Sequence, residues 1–129
     1  MTMLPKKQMS EEDIKLQFIT PAITAKWDIS KITMETKLTD GKINLKGNFV
    51  VREKPKRADY VLYFAPNNPI AVIEAKDNNH SISYGLQQAM TYAQMLDLPF
   101  AYSSNGDGFA EHDFLTGMER QFGMDEFPT

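Results

Sequence analysis

Three observations predict that this chain of 129 residues forms an α/β domain with a mixed central sheet flanked by helices. Two apolar runs surround the turn-forming stretch Pro66-Asn67-Asn68-Pro69, a pattern typical of a β-hairpin. Apolar side chains then recur at helical spacing over residues 82–96. Residues 98–103 indicate a further strand, which the chain reaches by a crossover. A hairpin, a helix and a returning strand together indicate a sheet of mixed strand directions.

The first predicted element is a helix that begins after Ser10. Ser10 is a favourable N-cap, and the acids at positions 11–13 suit the positive end of the helix dipole. Ile14 and Phe18 provide an apolar face at i, i+4 spacing. Because Asp13 stands where a capping box has Glu or Gln, we expect the box to be only approximate. Pro21 either ends this helix or starts the next short turn.

Strand patterns begin at Ile32. Residues 32–38 (ITMETKL) predict one strand, residues 39–41 a hairpin turn and residues 43–51 a second strand. The next hairpin has predicted strands at residues 59–64 and 70–76. Its almost continuously apolar run IAVIEA predicts a central strand covered on both faces. After a turn at residues 105–108, residues 109–114 predict a last strand.

Composition limits the classes of function. The chain is 42% hydrophobic and 24% charged, which is typical of one globular domain. No apolar run approaches the ~18 residues needed to cross a bilayer, and the start has no hydrophobic signal region. We therefore expect a cytoplasmic protein that does not bind membranes. Because the sequence contains no cysteine, it excludes disulfides, thiolate metal sites and a cysteine nucleophile.

The charge is unevenly distributed along the chain. A net charge of −3 argues against a strongly basic nucleic-acid-binding protein. From Lys42 to Arg57, however, the sequence contains six basic residues and only one acidic residue, Glu53. This basic strip (residues 42–57) could contact phosphates. It is equally compatible with a solvated, lysine-rich edge that discourages pairing between sheets, and the sequence leaves both readings open.

Charged residues mark both ends of the second hairpin, where they are costly unless they are paired or bind a metal. If the turn centres near Asn67, Asp59 falls opposite residue 75, give or take one. Glu74 and Lys76 are two apart on a strand, so their side chains project from the same face. Two carboxylates and an ammonium are therefore expected to converge, with opposed residues about 5 Å apart.

Two interpretations of this convergence remain open. Mg²⁺ prefers oxygen ligands, and a neighbouring lysine can stabilise the charge that develops when a phosphodiester is attacked. Alternatively, Lys76 forms an ion pair with one of the acids and only fixes the hairpin register. Gln88 and Tyr92 share a face of the following helix and can approach the same end of the sheet. Glu11 in the first helix is a further acid that could reach it.

These residues resemble a known nuclease signature. The PD-(D/E)xK motif is resembled by Asp59 together with Glu74-Ala75-Lys76. The Q-x-x-x-Y motif that follows it is resembled by Gln88-Ala89-Met90-Thr91-Tyr92. Four longer stretches are similar to the N-terminal region of the R (restriction) subunit of type I restriction–modification enzymes. They are SEEDIKLQFITPAI, KRADYVLYF, PIAVIEAK and GLQQAMTYAQMLDLPFAYSSNGDGF. The resemblance covers nearly the whole chain from Ser10. One departure is Ala58, which stands where the motif has its proline.

The resemblance implies a RecB-like, restriction-endonuclease-like fold and an endonuclease that cleaves double-stranded DNA. It implies that Asp59, Glu74 and the Ala75 carbonyl hold Mg²⁺, for which Mn²⁺ can substitute. Lys76 would be the catalytic lysine, and Gln88 and Tyr92 would orient the DNA or that lysine. Glu11 would match the acid of the family's first helix, although the adjacent Glu12 remains open because only one of the two can face the cleft. Methylation and specificity subunits are the implied partners. The chain has no Walker motif, so ATP is expected to act only in motor domains that lie outside it.

Domain boundaries follow from the same observations. We expect a flexible N-terminus at residues 1–9 and the nuclease domain at residues 10–115. Residues 116–129, a polar stretch without a strong element, are expected to be an exit segment toward motor domains, so that the chain is a fragment of a larger subunit. Two other functions remain open: a non-catalytic module of the same fold that docks DNA or a partner subunit through the basic strip, and a structural assembly domain.

Overall fold

A single six-stranded sheet organises the part of the chain that the computed structural model describes, residues 4–38 and 56–129. The strands lie in the order β1 to β6, and every neighbouring pair is antiparallel except β3 and β4, which are parallel. The prediction of a mixed sheet in an α/β fold is therefore confirmed. The strands are β1 (Ile32–Leu38), β2 (Lys56–Ala65), β3 (Asn68–Ala75), β4 (Phe100–Ser104), β5 (Phe109–Asp113) and β6 (Met118–Phe122).

Helices lie before, within and after this series of strands. The first helical segment consists of α1 (Glu11–Ile14), a π-helical stretch (Lys15–Ile19) and α2 (Thr20–Thr24), which follow one another without a break. Helix α3 (Leu86–Met95) forms the crossover between β3 and β4 and is shorter than the predicted span of residues 82–96. Three short 3₁₀ turns occupy Lys6–Gln8, Ile29–Lys31 and Met124–Glu126. None of the helices in the described residues is long and apolar enough to cross a membrane.

The capping box at the start of α1 is complete, contrary to the expectation of an approximate one. The Ser10 hydroxyl accepts a hydrogen bond from the Asp13 N–H at 3.1 Å, and the Asp13 carboxylate accepts one from the Ser10 N–H at 3.2 Å. An aspartate is thus long enough to close the box here. Pro21 lies in the first turn of α2 and does not end the helical segment. Since proline cannot donate to the carbonyl four residues earlier, the wider π-helical turn before it accommodates the missing bond.

The hairpin of β2 and β3 determines where the charged residues meet. Pro66 and Asn67 alone form its turn, with Asn67 at φ 62°, so the turn is tighter than the predicted four-residue break. Tyr60 pairs with Ile73, and continuing this register by one step brings Asp59 opposite Glu74. The sequence predicted that Asp59 lies opposite residue 75, give or take one, so the expected opposition of the two acids is confirmed.

The sheet is covered on both faces, as the apolar run in β3 predicted. The first helical segment packs on one face through Ile14, Ile19 and Ile23, all of which are buried against a cluster that includes Tyr60 and Ile73. On the other face, α3 packs through an apolar side formed by Leu86, Ala89 and Ala93 against Val61, Val72 and Ala101. The end of β2 and β3 therefore lies between two helical layers.

Both chain ends differ from expectation. Residues 118–122 form the edge strand β6, and Phe127 is only 1% exposed, so the prediction that residues 116–129 carry no strong element is wrong. This stretch is mostly polar, but two of its aromatic residues, Phe122 and Phe127, pack in the core. At the other end, Lys6 Nζ lies 2.7 Å from the Asp107 carboxylate and Met9 is buried. Residues 4–9 are therefore held against the domain rather than flexible.

Some predicted elements lie outside the described residues. They are the turn at residues 39–41, the strand at residues 43–51 and most of the basic strip, of which only Lys56 and Arg57 are described. Both of these side chains are exposed at the start of β2.

Candidate functional site

Asp59 and Glu74 are joined by a reciprocal pair of hydrogen bonds at the end of the hairpin. The Asp59 N–H donates to Glu74 Oε2 at 2.8 Å, and the Ala75 N–H donates to Asp59 Oδ2 at 2.8 Å. Where the regular pairing of β2 and β3 stops, side-chain carboxylates thus replace backbone carbonyls as the acceptors of the inter-strand hydrogen bonds. Hydrogen bonds from N–H groups to carboxylates are stronger than neutral ones, so both side chains are fixed in position.

Burial makes a double negative charge unfavourable at this position. Glu74 is 3% exposed, and the side chain of Asp59 is 14% exposed. Burial, together with the charge of Asp59, raises the pKa of Glu74 to about 8. Burial also raises the pKa of Asp59 to about 6, against the lowering effect of the Ala75 N–H and of Lys15. A cation that binds between the two carboxylates would remove this penalty, because it stabilises both ionised forms.

Lys76 is oriented by two side chains of α3. Its Nζ donates to Gln88 Oε1 at 3.4 Å, and Gln88 Nε2 donates to the Tyr92 hydroxyl oxygen at 2.8 Å. Because Gln88 and Tyr92 are four residues apart, they lie on one face of the helix and form a continuous relay. The predicted neighbourhood of Lys76, Gln88 and Tyr92 is therefore present. Their functional roles remain predictions.

Glu11, rather than Glu12, faces the carboxylate pair. Burial raises the pKa of Glu11 although the positive charges of Lys76 and Lys15 lower it, and its own charge in turn raises the pKa of Asp59 and Glu74. The side chain of Glu12 is 74% exposed and points to Lys15 instead. Of the two adjacent acids, between which the sequence left the choice open, Glu11 is therefore the one placed beside the pair, and its functional role remains a prediction.

A second lysine at the site, Lys15, was not predicted from the sequence. Its side chain is 2% exposed, and its Nζ lies 2.8 Å from Glu12 Oε1, 3.6 Å from Asp59 Oδ1 and 3.7 Å from Glu35 Oε2. Burial opposes its charge, but the three carboxylates outweigh that effect and raise its pKa. A signal did exist, because Glu11, Lys15 and the buried Ile19 follow one another at i, i+4 spacing along one helix face.

Glu35 is the other residue that sequence reasoning missed. It lies in the middle of β1 with φ 50°, a left-handed conformation that is costly for a residue with a side chain. Its neighbours Met34 and Thr36 pair with Tyr60 and Ala58, so Glu35 stands beside Asp59 on the adjacent strand. Nothing in the pattern ITMETKL indicates this conformation.

The donor atoms at the site fit a magnesium ion that keeps most of its water ligands. Within residues 4–38 and 56–129, no three His, Cys, Asp or Glu side chains come together as a metal-binding group. Mg²⁺ nevertheless needs only one or two protein carboxylates, with water and phosphate completing its shell. One oxygen of Asp59 and one of Glu74 accept the backbone hydrogen bonds described above. The second oxygen of Glu74 accepts no hydrogen bond among the described residues, and that of Asp59 lies 3.6 Å from Lys15 Nζ. With the Ala75 carbonyl, the donor set consists entirely of oxygen.

Comparisons with known proteins agree with one another. The family model described as the second domain of the type I restriction enzyme EcoKI endonuclease subunit matches residues 31–98. The chain is 42% identical to the type I restriction enzyme EcoAI endonuclease subunit of Escherichia coli, over 100% of this chain and 17% of that protein. A solved fragment described as an HsdR subunit of a type I restriction enzyme from Vibrio vulnificus YJ016 is 40% identical and superposes with a TM-score of 0.79. The match covers 94% of this chain and 24% of that one. The chain thus spans 17% of the length of the curated relative that it matches.

Proposed function

This chain belongs to the family of type I restriction enzyme endonuclease subunits, and from that premise we propose that it hydrolyses phosphodiester bonds of double-stranded DNA in a Mg²⁺-dependent reaction. The observation that carries this proposal is the buried pair Asp59 and Glu74. Each of the two is anchored by a backbone N–H through one oxygen, the second oxygen of Asp59 lies 3.6 Å from Lys15 Nζ, and Lys76 follows directly on the same strand end. Two like charges held together in a protein interior are expensive, so a site of this kind is suited to a divalent cation.

In this proposal Asp59, Glu74 and the Ala75 carbonyl hold Mg²⁺, and Mn²⁺ can replace it. When bound, such an ion activates a water molecule and neutralises charge at the phosphate. Glu11 adds negative charge beside the pair and thereby favours cation binding.

Lys76 acts on the phosphate side of the site. Its ammonium stabilises the charge that develops on the phosphoryl oxygens as water attacks, and it holds the attacking water in place. Gln88 accepts a hydrogen bond from Lys76 and donates one to Tyr92, so the relay limits the directions in which the flexible lysine can point. These roles require that Lys76 stay charged and that the relay stay intact.

We further propose that the chain works within a larger assembly. A type I restriction enzyme subunit of which it forms a part would combine it with ATP-driven motor domains and with separate methylation and specificity subunits, in the cytoplasm. Sequence recognition would then be the task of the specificity subunit, and the proposed site acts only on the sugar–phosphate backbone, which it contacts without reading bases.

Calorimetric titration with Mn²⁺, with and without a short DNA duplex, tests the metal site. The duplex is expected to strengthen binding, because its phosphates complete the ion's shell. Glu74→Gln keeps an acceptor for the Asp59 N–H but removes the charge, so its affinity should fall at least roughly tenfold. Glu111→Gln is the matched control, since Glu111 is a buried strand glutamate that pairs with Arg120 at 2.7 Å and takes no part in the site.

A cleavage assay with the assembled restriction complex tests the chemistry. Lys76→Ala should lower the cleavage rate roughly 100-fold or more while Mn²⁺ binding and folding remain. Equal Mn²⁺ binding by the folded wild-type, Glu74→Gln and Glu111→Gln proteins, with normal cleavage by Lys76→Ala, would contradict the proposal. That result would favour a module of the same fold that docks DNA or a partner subunit.

A further inference from the structure

An exposed aromatic side chain lies beside the proposed site. Tyr84 is 60% exposed, and among the described residues Phe64, at 56%, is the only other Phe, Tyr or Trp that is more than half exposed. Lys76 Nζ lies 5.9 Å from the centroid of the Tyr84 ring. A Cβ atom added to the next residue, Gly85, would lie 3.4 Å from both Glu74 Cβ and Lys76 Cε. Tyr84 is therefore at the edge of the site and open to solvent.

Tyr84 is fixed in position despite its exposure. Its ring stacks on the His80 ring, with centroids 4.2 Å apart and planes inclined by 11°, and we call this pair the His80–Tyr84 stack. The His80 carbonyl accepts a hydrogen bond from Asn105 Nδ2 at 2.7 Å. The Ile82 carbonyl accepts one from the Ser103 hydroxyl. Because both donors are buried, the backbone that carries the two rings is anchored to the sheet.

A cation–π contact with Lys76 does not by itself account for this arrangement. Such contacts extend to about 6 Å and are weak where water reaches the ring, as it does at Tyr84. The contact also has no need of the His80 ring or of its anchored backbone. A rigid, exposed pair of rings is instead suited to an aromatic ligand, since it offers stacking area and loses little freedom on binding.

A nucleobase is the aromatic ligand that the neighbouring site makes available. Every base has a π face, and proteins that hold single-stranded nucleic acid commonly stack bases on aromatic side chains. In an intact duplex these faces are covered by the adjacent bases, so a base reaches an external ring only where it leaves the stack. The ammonium of Lys76 beside the ring is complementary to the phosphate of the same strand.

We propose that the His80–Tyr84 stack binds an unpaired base of the DNA strand beside the cut phosphate, so that the site favours duplex DNA whose pairing is open at that point. The position of the stack beside a cut phosphate rests on the proposed function. The binding of an unpaired base rests only on the stack itself. Because every base has a π face, the preference is for open pairing and not for a particular sequence.

Fluorescence anisotropy in a buffer without divalent cations tests the binding. Two duplexes of equal length are compared, one fully paired and one with a central run of mismatched pairs. The wild-type chain should bind the mismatched duplex at least roughly fivefold more tightly, and Tyr84→Leu should remove this difference by weakening only that complex. Tyr84→Phe keeps the ring and should behave as the wild type. Phe64→Leu is the matched control, because it removes an equally exposed ring five residues along β2 from Asp59.

A fluorescent base reports the stacking directly. The emission of 2-aminopurine, placed in the mismatched run, is quenched when the base stacks on an aromatic ring. The wild-type chain and Phe64→Leu should quench it, whereas Tyr84→Leu should not. Equal quenching by the folded wild-type and Tyr84→Leu proteins would overturn the inference. An equal loss of affinity for both duplexes in Tyr84→Leu would also overturn it, because the side chain would then contact the sugar–phosphate backbone.

The absence of divalent cations separates this inference from the proposed function. A preference for the mismatched duplex that is lost in Tyr84→Leu would support the inference even if Glu74→Gln left Mn²⁺ binding unchanged, a result that counts against the metal site. Conversely, a wild-type chain with the expected Mn²⁺ binding but no preference between the duplexes would leave the proposed function standing and overturn the inference.

Discussion

Asp59 and Glu74 each perform two tasks with one carboxylate. One oxygen of each side chain closes the hairpin by accepting a backbone N–H at 2.8 Å, and in the proposed function the other oxygen of each contacts the cation. This division explains how a buried pair of acids stays in place without a metal. The hydrogen bonds fix the carboxylates, while their mutual repulsion and burial leave them poorly stabilised as anions.

This balance predicts how stability depends on pH. Both carboxyls keep their protons to a higher pH in the folded chain, about 6 for Asp59 and about 8 for Glu74, than in the unfolded chain, where such groups titrate near roughly pH 4. Unfolding therefore releases protons, and the free energy of unfolding should fall as the pH rises from about 4 through about 8. Thermal unfolding of the metal-free chain across this range measures the effect.

Two controls accompany the pH series. Glu74→Gln should reduce the fall of the unfolding free energy with pH, because it removes the group with the higher pKa. Mn²⁺ should reduce the same fall in the wild-type chain. A stability that rises over this range in the absence of metal would contradict the prediction.

At the scale of elements, each part of the site comes from a different piece of secondary structure. The β2–β3 hairpin supplies the carboxylate pair through its register, the first helical segment supplies Glu11 and Lys15, and α3 supplies Gln88 and Tyr92. Helix α3 is fixed against the sheet by Leu86, Ala89 and Ala93, so the relay to Lys76 has a rigid base. The orientation of Lys76 therefore depends on how α3 packs.

Tyr92→Phe tests this dependence. The change deletes only the hydroxyl that accepts from Gln88 Nε2, so Gln88 is free to turn and Lys76 loses its orientation. Cleavage by the assembled complex should fall roughly 10- to 100-fold in kcat, with KM and Mn²⁺ affinity unchanged. Tyr63→Phe on β2 is the matched control, because the only hydrogen bond of its hydroxyl among the described residues is the one accepted from Thr33 at 3.3 Å. Equal effects of the two substitutions would contradict a specific role for the relay.

At the scale of the whole molecule, distant parts of the chain close the core together. Phe127 packs against Tyr102 and Phe109 with ring centroids 5.0 and 4.7 Å apart, beneath the same face that the first helical segment covers. The Trp27 indole N–H donates to the Pro128 carbonyl at 2.8 Å, so the region after the first helical segment is hydrogen-bonded to the C-terminal residues. The last residues of the chain are therefore part of the fold that supports the site.

Phe127→Ala should consequently destabilise the chain by about 3–5 kcal/mol, because it leaves a cavity among aromatic side chains. Phe64→Ala, at a phenylalanine that is 56% exposed, is the matched control and should cost no more than about 0.5 kcal/mol. Urea unfolding of both variants measures the difference. Equal stability of the two would show that the C-terminal residues do not contribute to the core.

The sequence predicted the elements whose patterns are local. The β2–β3 hairpin, the helical face of α3 and the charged positions Asp59, Glu74 and Lys76 all follow from periodicity and turn residues. It failed at β6 (MERQF), a mostly polar and exposed strand with a single aromatic residue at its end, because only tertiary packing shows that Phe122 joins the core. Local patterns do not contain that information.

The missed site residues show the same limit. Lys15 was missed because a lysine in a helix is ordinarily exposed, so its i, i+4 spacing with Glu11 and Ile19 becomes informative only when the helix is placed over β2. Glu35 depends on a left-handed backbone conformation and on the pairing of β1 with β2, neither of which its neighbours in sequence determine. Both are products of the assembled fold.

The reciprocal hydrogen bonds also make the two carboxylates individually observable. The amide proton of Asp59 is bonded to Glu74, and the amide proton of Ala75 is bonded to Asp59. Because a hydrogen bond strengthens when its acceptor is ionised, the NMR resonance of each amide follows the charge state of the other strand's carboxylate. Two backbone signals of the wild-type chain can thus assign the coupled titration of the pair to its separate members and register the arrival of a cation at each.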